Sequence, residues 1–358
     1  MATTYVFFNP LAGNGKCGDS AKGLTKVVGE GAVFCNMTDE SVYESTLFSL
    51  APDDKLIVCG GDGTLNRFIN FVGNRDLGHD VFYCPLGSGN DFAHDLGKTA
   101  DDEPFDITEY LKNLPTVCVK GNTYRFINGI GYGIDGYCCE VGDKMRGEGK
   151  KDINYAGIAI KGLLFHYKPT NAVVTVDGVR HEFKKVWLAP TMNGRFYGGG
   201  MMPTPEQVRN GGKLSTMLFH GSGKIKTLAI FPSIFKGEHV KHTDCVTVLE
   251  GKTITVEFDS PRALQIDGET VLGVTSYTAR PRSEQTNPQK KRRQLPQNKQ
   301  KVYLNIKSYP IGYKTHWICA NYTLSGIVLK KRRSGRKKSC AAQSAPVHGA
   351  FRCDQSGA

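Results

Sequence analysis

The sequence predicts an α/β domain followed by a mainly β domain, and three observations carry that expectation. Near the N-terminus three short apolar runs, at residues 4–9, 56–59 and 81–84, each lead into a glycine-bearing loop. Beyond Thr116 helical spacing gives way to short segments rich in β-branched and aromatic residues, with turn residues between them. From about Arg280 apolar periodicity fades and Gln, Asn, Pro, Lys and Arg accumulate. The expected organisation is residues 1–116, 117–280 and a basic tail, 281–358.

Taken in order, Thr4-Tyr5-Val6-Phe7-Phe8-Asn9 reads as a strand that enters the turn-rich loop Pro10–Lys16, and helical potential follows around residues 20–28. Leu56-Ile57-Val58-Cys59 reads as a strand buried on both faces and opens into Gly60-Gly61-Asp62-Gly63-Thr64. Leu65, Phe68, Ile69 and Val72 then fall at i, i+3, i+4 and i+7, the stripe of an amphipathic helix, with Thr64 expected as its N-cap. A third strand, residues 81–84, ends in Pro85–Asp91. In an open α/β sheet, ligands bind outside the carboxyl ends of the strands, where all three loops would gather. The β segments beyond are expected at 124–129, 171–176, 185–189, 214–219, 245–249 and 253–258, with a helix near 155–165 and a hairpin turn at Asp177-Gly178. The tail is expected to be largely disordered, with strand potential around 302–306.

A chain of 358 residues exceeds what one core usually organises. Its formal net charge of +12 is unevenly placed. Of the 46 Lys/Arg and 34 Asp/Glu, 18 and 2 lie from Arg280 onward, which leaves 28 bases against 32 acids in residues 1–279. The body is slightly acidic, so the overall sign does not imply nucleic acid as its partner. The 11 cysteines show no CxxC pair and no zinc-like spacing with histidine, and reduced thiols are expected. No stretch approaches the roughly 18 consecutive apolar residues of a membrane span. If the substrate is a lipid, the protein has to reach it from the surface, as a cytoplasmic protein peripheral to an anionic membrane.

Glycines after a buried strand let backbone N–H groups approach a ligand closely, and the start of the following helix adds positive potential. Gly60, Gly61 and Gly63 therefore suggest a site for phosphate oxygens, with a nucleoside triphosphate as the molecule handled.

At this point the chain resembles the diacylglycerol kinase catalytic family, in the form of the soluble bacterial lipid kinases. The motifs are NPLAGNGK at 9–16, GGDGTLN at 60–66, PLGSGNDFA at 85–93, FINGIGYGIDG at 126–136, NGRFYGGGMMPTP at 193–205 and IDGE at 266–269. The resemblance implies a phosphofructokinase-like nucleotide domain, a C-terminal β-sandwich and a cleft between them. It further implies ATP, Mg²⁺ and a lipid alcohol such as diacylglycerol. Asp62 is then expected to hold Mg²⁺, and Asn9, Asn14, Lys16, Thr64, Ser88 and Asn90 to join the glycines around the nucleotide. Phosphoryl transfer also needs a base at the acceptor hydroxyl. The resemblance puts it at Glu269, with Asp267 orienting it or helping the metal. Asp91 and Asp106 are expected in the acidic network near the metal, although either also suits a cap or a turn. Gly198–Gly200 would allow close approach beneath the substrate, while Met201 and Met202 read as core.

Two departures qualify the resemblance. Asn210-Gly211-Gly212-Lys213 stands where many relatives carry an acidic DDG-type loop, which argues against a second, structural Mg²⁺. Ser88 replaces a frequent threonine and keeps its hydroxyl. The alternatives are an NAD kinase, which also uses a GGDGT loop, and a non-catalytic scaffold whose tail binds anionic membrane or nucleic acid. A homodimer is compatible with all of these.

Overall fold

A computed structural model describes residues 2–150 and 153–281 and, of Asn14 and Ala156, the backbone alone. Beyond Pro281 the basic tail, with the strand-like patch at 302–306, lies outside the described residues.

The first sheet contains β1 (Thr4–Phe8), β2 (Val33–Asn36), β3 (Lys55–Gly60), β4 (Val81–Pro85) and β5 (Phe105–Asp106), in the order β2-β1-β3-β4-β5. The first four run parallel and β5 is antiparallel to β4. Alternation along the strands supplies a core on each face: Phe7, Leu56 and Val58 pack on one side, and Val6, Ile57 and Cys59 on the other. β2 is half-exposed and was not expected, although Ala32-Val33-Phe34-Cys35 is an apolar run; unlike the other three it leads into no glycine-bearing loop.

Helix Asp62–Val72 buries Leu65, Phe68 and Ile69 against this sheet and ends at Gly73, φ +66°. The expected N-cap at Thr64 is corrected. The helix starts three residues earlier than that cap implies, with extended Gly61 as cap and no side-chain cap bond. Thr64 is buried in the first turn, where its Oγ1 accepts from Asn9 Nδ2 at 3.4 Å. The helix expected over 20–28 forms as two pieces, Cys17–Gly23 and Thr25–Val28, with Gly23 at the break.

The second sheet is antiparallel and takes β6 (Thr116–Val119), β7 (Asn122–Arg125), β8 (Gly129–Tyr132), β9 (Thr170–Val176), β10 (Val179–Val186), β11 (Thr191–Met192), β12 (Leu214–Phe219), β13 (Val246–Gly251), β14 (Ile254–Ile266) and β15 (Glu269–Arg280). Its main path is β13-β12-β11-β8-β14-β15-β6-β7, and β9 joins β10 to β14. The first half of β14 pairs with β9 and its last residues with β8, with register breaks between Glu257 and Leu264. That bend lets one strand serve both layers of a β-sandwich. The interior holds Phe126, Tyr132, Val174, Val256, Phe258, Leu264 and Tyr277, with Tyr132 and Phe258 stacked at 3.9 Å. Asp177-Gly178 forms the expected turn between β9 and β10, with φ +49° and +87°.

The strand expected over 124–129 is interrupted. β7 ends at Arg125 and β8 begins at Gly129, because the N–H groups of Ile127, Asn128 and Gly129 turn to the carboxylate of Asp267 rather than to a neighbouring strand. A further core lies under helices Ile134–Gly147, Tyr155–Lys161 and Lys224–Ile230, around Trp187, Leu163 and Ile234.

Candidate active site

The three glycine loops meet at the carboxyl rim of the first sheet. A Cβ on Gly87 would lie 2.3 Å from Gly61 Cα, and one on Gly13 would lie 2.5 Å from the carbonyl oxygen of Leu86. Only bare backbone fits these approaches. Tyr83, fully buried, donates its hydroxyl to the Gly60 carbonyl at 2.9 Å and fixes the second loop from below. Asn90 sits at φ +54° and closes the third loop on itself. Its Oδ1 accepts from Gly87 N at 2.9 Å, and its Nδ2 donates to the carbonyls of Gly87 and Pro85. Its polar atoms shape the loop, whereas Ser88, Lys16 and Gly15 stand exposed at the rim. Asn9 spends its Oδ1 on Leu11 N at 3.0 Å.

Asp62 opens its helix yet turns its carboxylate to the next one. It accepts from Asp91 N at 3.0 Å and Phe92 N at 2.9 Å, and so caps the short helix Asp91–Asp95. Asp91 in turn accepts from Gly199 N at 2.8 Å and Gly200 N at 2.6 Å, which draws the triple-glycine loop of the second lobe over the first. Burial, followed by the charge of Asp62, pushes the Asp91 carboxyl up to about 7. A Cβ on Gly89 would lie 3.4 Å from Asp62 and 3.5 Å from Asp91, so bare backbone is kept beside both acids.

Asn128 joins the two lobes. Its Nδ2 donates to Asp62 at 2.8 Å, its Oδ1 accepts from Arg209 at 2.9 Å, and its backbone N–H donates to Asp267. Asp267 lies in the two-residue turn between β14 and β15, with φ +46° there and +97° at Gly268. Its carboxylate takes the N–H groups of Ile127, Asn128 and Gly129 at 2.6–2.9 Å and Asn66 Nδ2 at 2.9 Å. Burial raises its pKa, and those donors work against the rise. Glu269, next along the turn, is exposed. Arg209 is buried, pairs with Asp95 at 2.8 Å and lies over the Phe92 ring; it brings a fixed positive charge close to Asp62 and Asp267.

The structure therefore brings together Asp62, Asp91, Asp267 and the glycine loops, and puts Glu269 on the same hairpin as Asp267. It does not bring Asp106 to them. Asp106 pairs with Phe82, early in β4 and away from the loop-bearing rim, and its carboxylate accepts from Thr108 N and Oγ1 at 2.8 and 2.6 Å. Among the described residues no group of three or more His, Cys, Asp or Glu is arranged around one ion position. Two carboxylates suit Mg²⁺ bound jointly with phosphates, since that ion commonly takes one or two carboxylates and completes its shell with phosphate oxygens and water. Asn66, Asn128, Arg209 and Asp95 were not singled out in the sequence. The signal for the first was present, because Asp62, Asn66 and Asn70 recur every four residues on one helix face.

A largely parallel α/β sheet is followed by a β-sandwich, and Asp267 of the sandwich bonds Asn66 on the helix after the second glycine loop. The sequence agrees: residues 3–116 match the diacylglycerol kinase catalytic domain, and residues 128–289 match the YegS C-terminal NAD kinase beta sandwich-like domain. Residues 3–116 thus carry a diacylglycerol kinase catalytic domain. It is 25% identical over 261 residues to the diacylglycerol kinase of Mycobacterium tuberculosis, which covers 70% of this chain and 83% of that protein. Its fold is similar to that of a diacylglycerol kinase from Bacillus anthracis str. Sterne, with a TM-score of 0.52, 19% identity, and coverage of 78% and 94% of the two chains. Among the described residues no helix is long and apolar enough to cross a membrane.

Proposed function

We propose that the protein transfers the terminal phosphoryl group of ATP to the hydroxyl of a membrane-derived lipid alcohol, with diacylglycerol as acceptor and phosphatidic acid as product. The observation that carries this reading is the connection of Asp62 to the Asp267–Glu269 hairpin through Asn128. Backbone N–H groups of the Gly60–Gly63 loop and the start of helix Asp62–Val72 would receive phosphate oxygens, with Lys16 and Ser88 at the rim. Asp62 and Asp91 would hold Mg²⁺, which when bound neutralises charge on the phosphoryl oxygens. Glu269 accepts the acceptor's hydroxyl proton as the new P–O bond forms and the bond to the ADP oxygen breaks. Asp267 positions Glu269 by fixing the turn and is itself fully engaged.

Purified protein with γ-labelled ATP, Mg²⁺ and mixed lipid micelles should yield a labelled lipid in the organic phase. Glu269→Gln should lower turnover by at least about 100-fold, as for loss of a general base, while nucleotide binding stays within twofold. NAD is included as a competing acceptor; label on NAD and none on lipid would overturn the proposal.

A further inference from the structure

Two neighbouring elements of the second lobe leave large apolar side chains in water. On the segment Tyr155–His166, Ile160 is 49% exposed and Phe165 72%; on the adjoining Lys224–Ile230 helix and the turn after it, Ile225 is 87% exposed and Phe235 45%. The two elements are tied together by Lys224 Nζ, which donates to the Leu164 carbonyl at 2.9 Å, and beneath them Leu163, Ile230 and Ile234 share one core. Their exposed apolar side chains therefore lie on adjoining elements over one core.

Its surroundings are basic. Residues 153–168 contain two lysines and no acid, and residues 222–242 contain four lysines and one acid, within a body that is net acidic up to residue 279. Lys161, Lys168, Lys224, Lys226, Lys236 and Lys241 are all exposed; Lys226 pairs with Asp244 and Lys241 with Glu238. Apolar tips ringed by lysines match the acyl boundary and phosphate layer of an anionic bilayer. A second copy docking through the same surface would set lysines against lysines, as any two-fold interface places a patch on itself.

The surface is also joined to the candidate site. The backbone N–H of Met202, just after the triple-glycine loop that holds Asp91, donates to the Ile234 carbonyl at 2.9 Å. On the other side Gly162 packs on Ile134 and Tyr137 of helix Ile134–Gly147, and that helix accepts a hydrogen bond from Thr270, the neighbour of Glu269, through Asp143. We infer that this lysine-ringed apolar surface, formed by residues 160–168 and 224–236, docks the protein on anionic lipid bilayers with the cleft facing its lipid acceptor. The orientation of the cleft rests on the lipid-kinase reading; the docking itself does not.

The test uses the full chain without ATP, so its outcome is independent of whether phosphoryl transfer is found. Co-sedimentation with phosphatidylcholine vesicles, with and without phosphatidylglycerol, should show binding that requires the anionic lipid. Both Phe165→Ser/Ile225→Ser and Lys161→Glu/Lys168→Glu should lower that binding by about tenfold or more at unchanged Tm. In a second measurement Phe165→Trp should gain fluorescence that brominated phosphatidylglycerol quenches, above the wild-type background. Absence of that added quenching, in Phe165→Trp protein that still co-sediments, would assign the binding to another segment and overturn the inference. So would equal sedimentation of the Ser/Ser variant and the wild type, or a dimer in light scattering that this variant converts to monomer with its vesicle binding unchanged.

Discussion

Asp135 is a buried carboxyl whose cost the fold carries without assigning it to transfer. It occupies the first turn of helix Ile134–Gly147, where it accepts from Gly136 N at 2.9 Å and from the Tyr197 hydroxyl at 3.1 Å. Burial pushes it from 3.8 up to about 6, and the hydrogen bonds restrain that rise. Between those values the folded protein retains a proton that the unfolded chain has lost. The stabilisation carried by the neutral form is thus complete below the unfolded value and is lost as pH rises through about 6. Asp91, raised to about 7, contributes with the same sign. Urea unfolding of the ligand-free protein should accordingly give lower stability at pH 8 than at pH 5. Asp135→Asn should shrink that difference by about 1–2 kcal/mol, because each tenfold difference in proton affinity between the two states is worth about 1.4 kcal/mol. An unchanged difference would place the proton linkage elsewhere.

Helix Asp62–Val72 shows how one element separates architecture from chemistry. The glycines around its start differ in what surrounds them. A Cβ on Gly60 or Gly87 would collide with Thr64 or Gly61, whereas a Cβ on Gly63 meets nothing within 4 Å. Gly63 is therefore free to be alanine as far as the fold is concerned, and helix propensity favours the change by roughly 0.5–1 kcal/mol. Gly63→Ala should raise Tm and, on the proposed reading, still weaken ATP binding by about tenfold, because the added methyl would meet phosphate at this helix start. Gly87→Ala should lose stability by about 1–3 kcal/mol as the second and third loops are forced apart. Thermal melts paired with nucleotide titration check both, and unchanged ATP affinity in Gly63→Ala would remove the phosphates from this helix start. The apolar side of the same helix was legible in the sequence, since Leu65, Phe68, Ile69 and Val72 follow its period. So were the strands that feed the loops, because a buried parallel strand must read as a continuous apolar run. The polar side was not read, because Asn66 and Asn70 act on residues far along the chain: Asn70 exchanges hydrogen bonds with the backbone of Arg125 at 2.8 and 2.9 Å. Nor was the part Asp267 plays in joining the lobes, since its partners come from two separate motifs, Asn66 in one and residues 127–129 in the other. The split of 124–129 follows from that one carboxylate, and local strand propensity contains no trace of it.

At the scale of the whole molecule paired polar groups join the two sheets: Asn66 with Asp267, Asn128 with Asp62, Asp91 with Gly199 and Gly200, and Asp95 with Arg195 and Arg209. Asp267 is the most heavily used of them, with four donors on two oxygens. Oδ1 receives Asn128 N and Gly129 N, and Oδ2 receives Ile127 N and Asn66 Nδ2. The arrangement distinguishes a positioning role from a purely chemical one through Asp267→Asn. Whichever way the amide is turned, its NH₂ faces two donors, so two buried hydrogen bonds are lost and like dipoles meet. Each unsatisfied buried donor costs about 1–3 kcal/mol, which puts the total on the order of 2–5 kcal/mol. Calorimetry of Asp267→Asn should therefore show a lower Tm, and in the orientation that turns the NH₂ to Asn66 the lost link should broaden or split the transition as the sheets begin to unfold separately. Glu269→Gln, one residue beyond the turn and exposed, should melt like the wild type. Were Asp267 only a metal or proton group, Asp267→Asn would instead match the wild-type melt and lose turnover alone. The two variants measured side by side thus tell whether this hairpin first joins the lobes and only then presents a base.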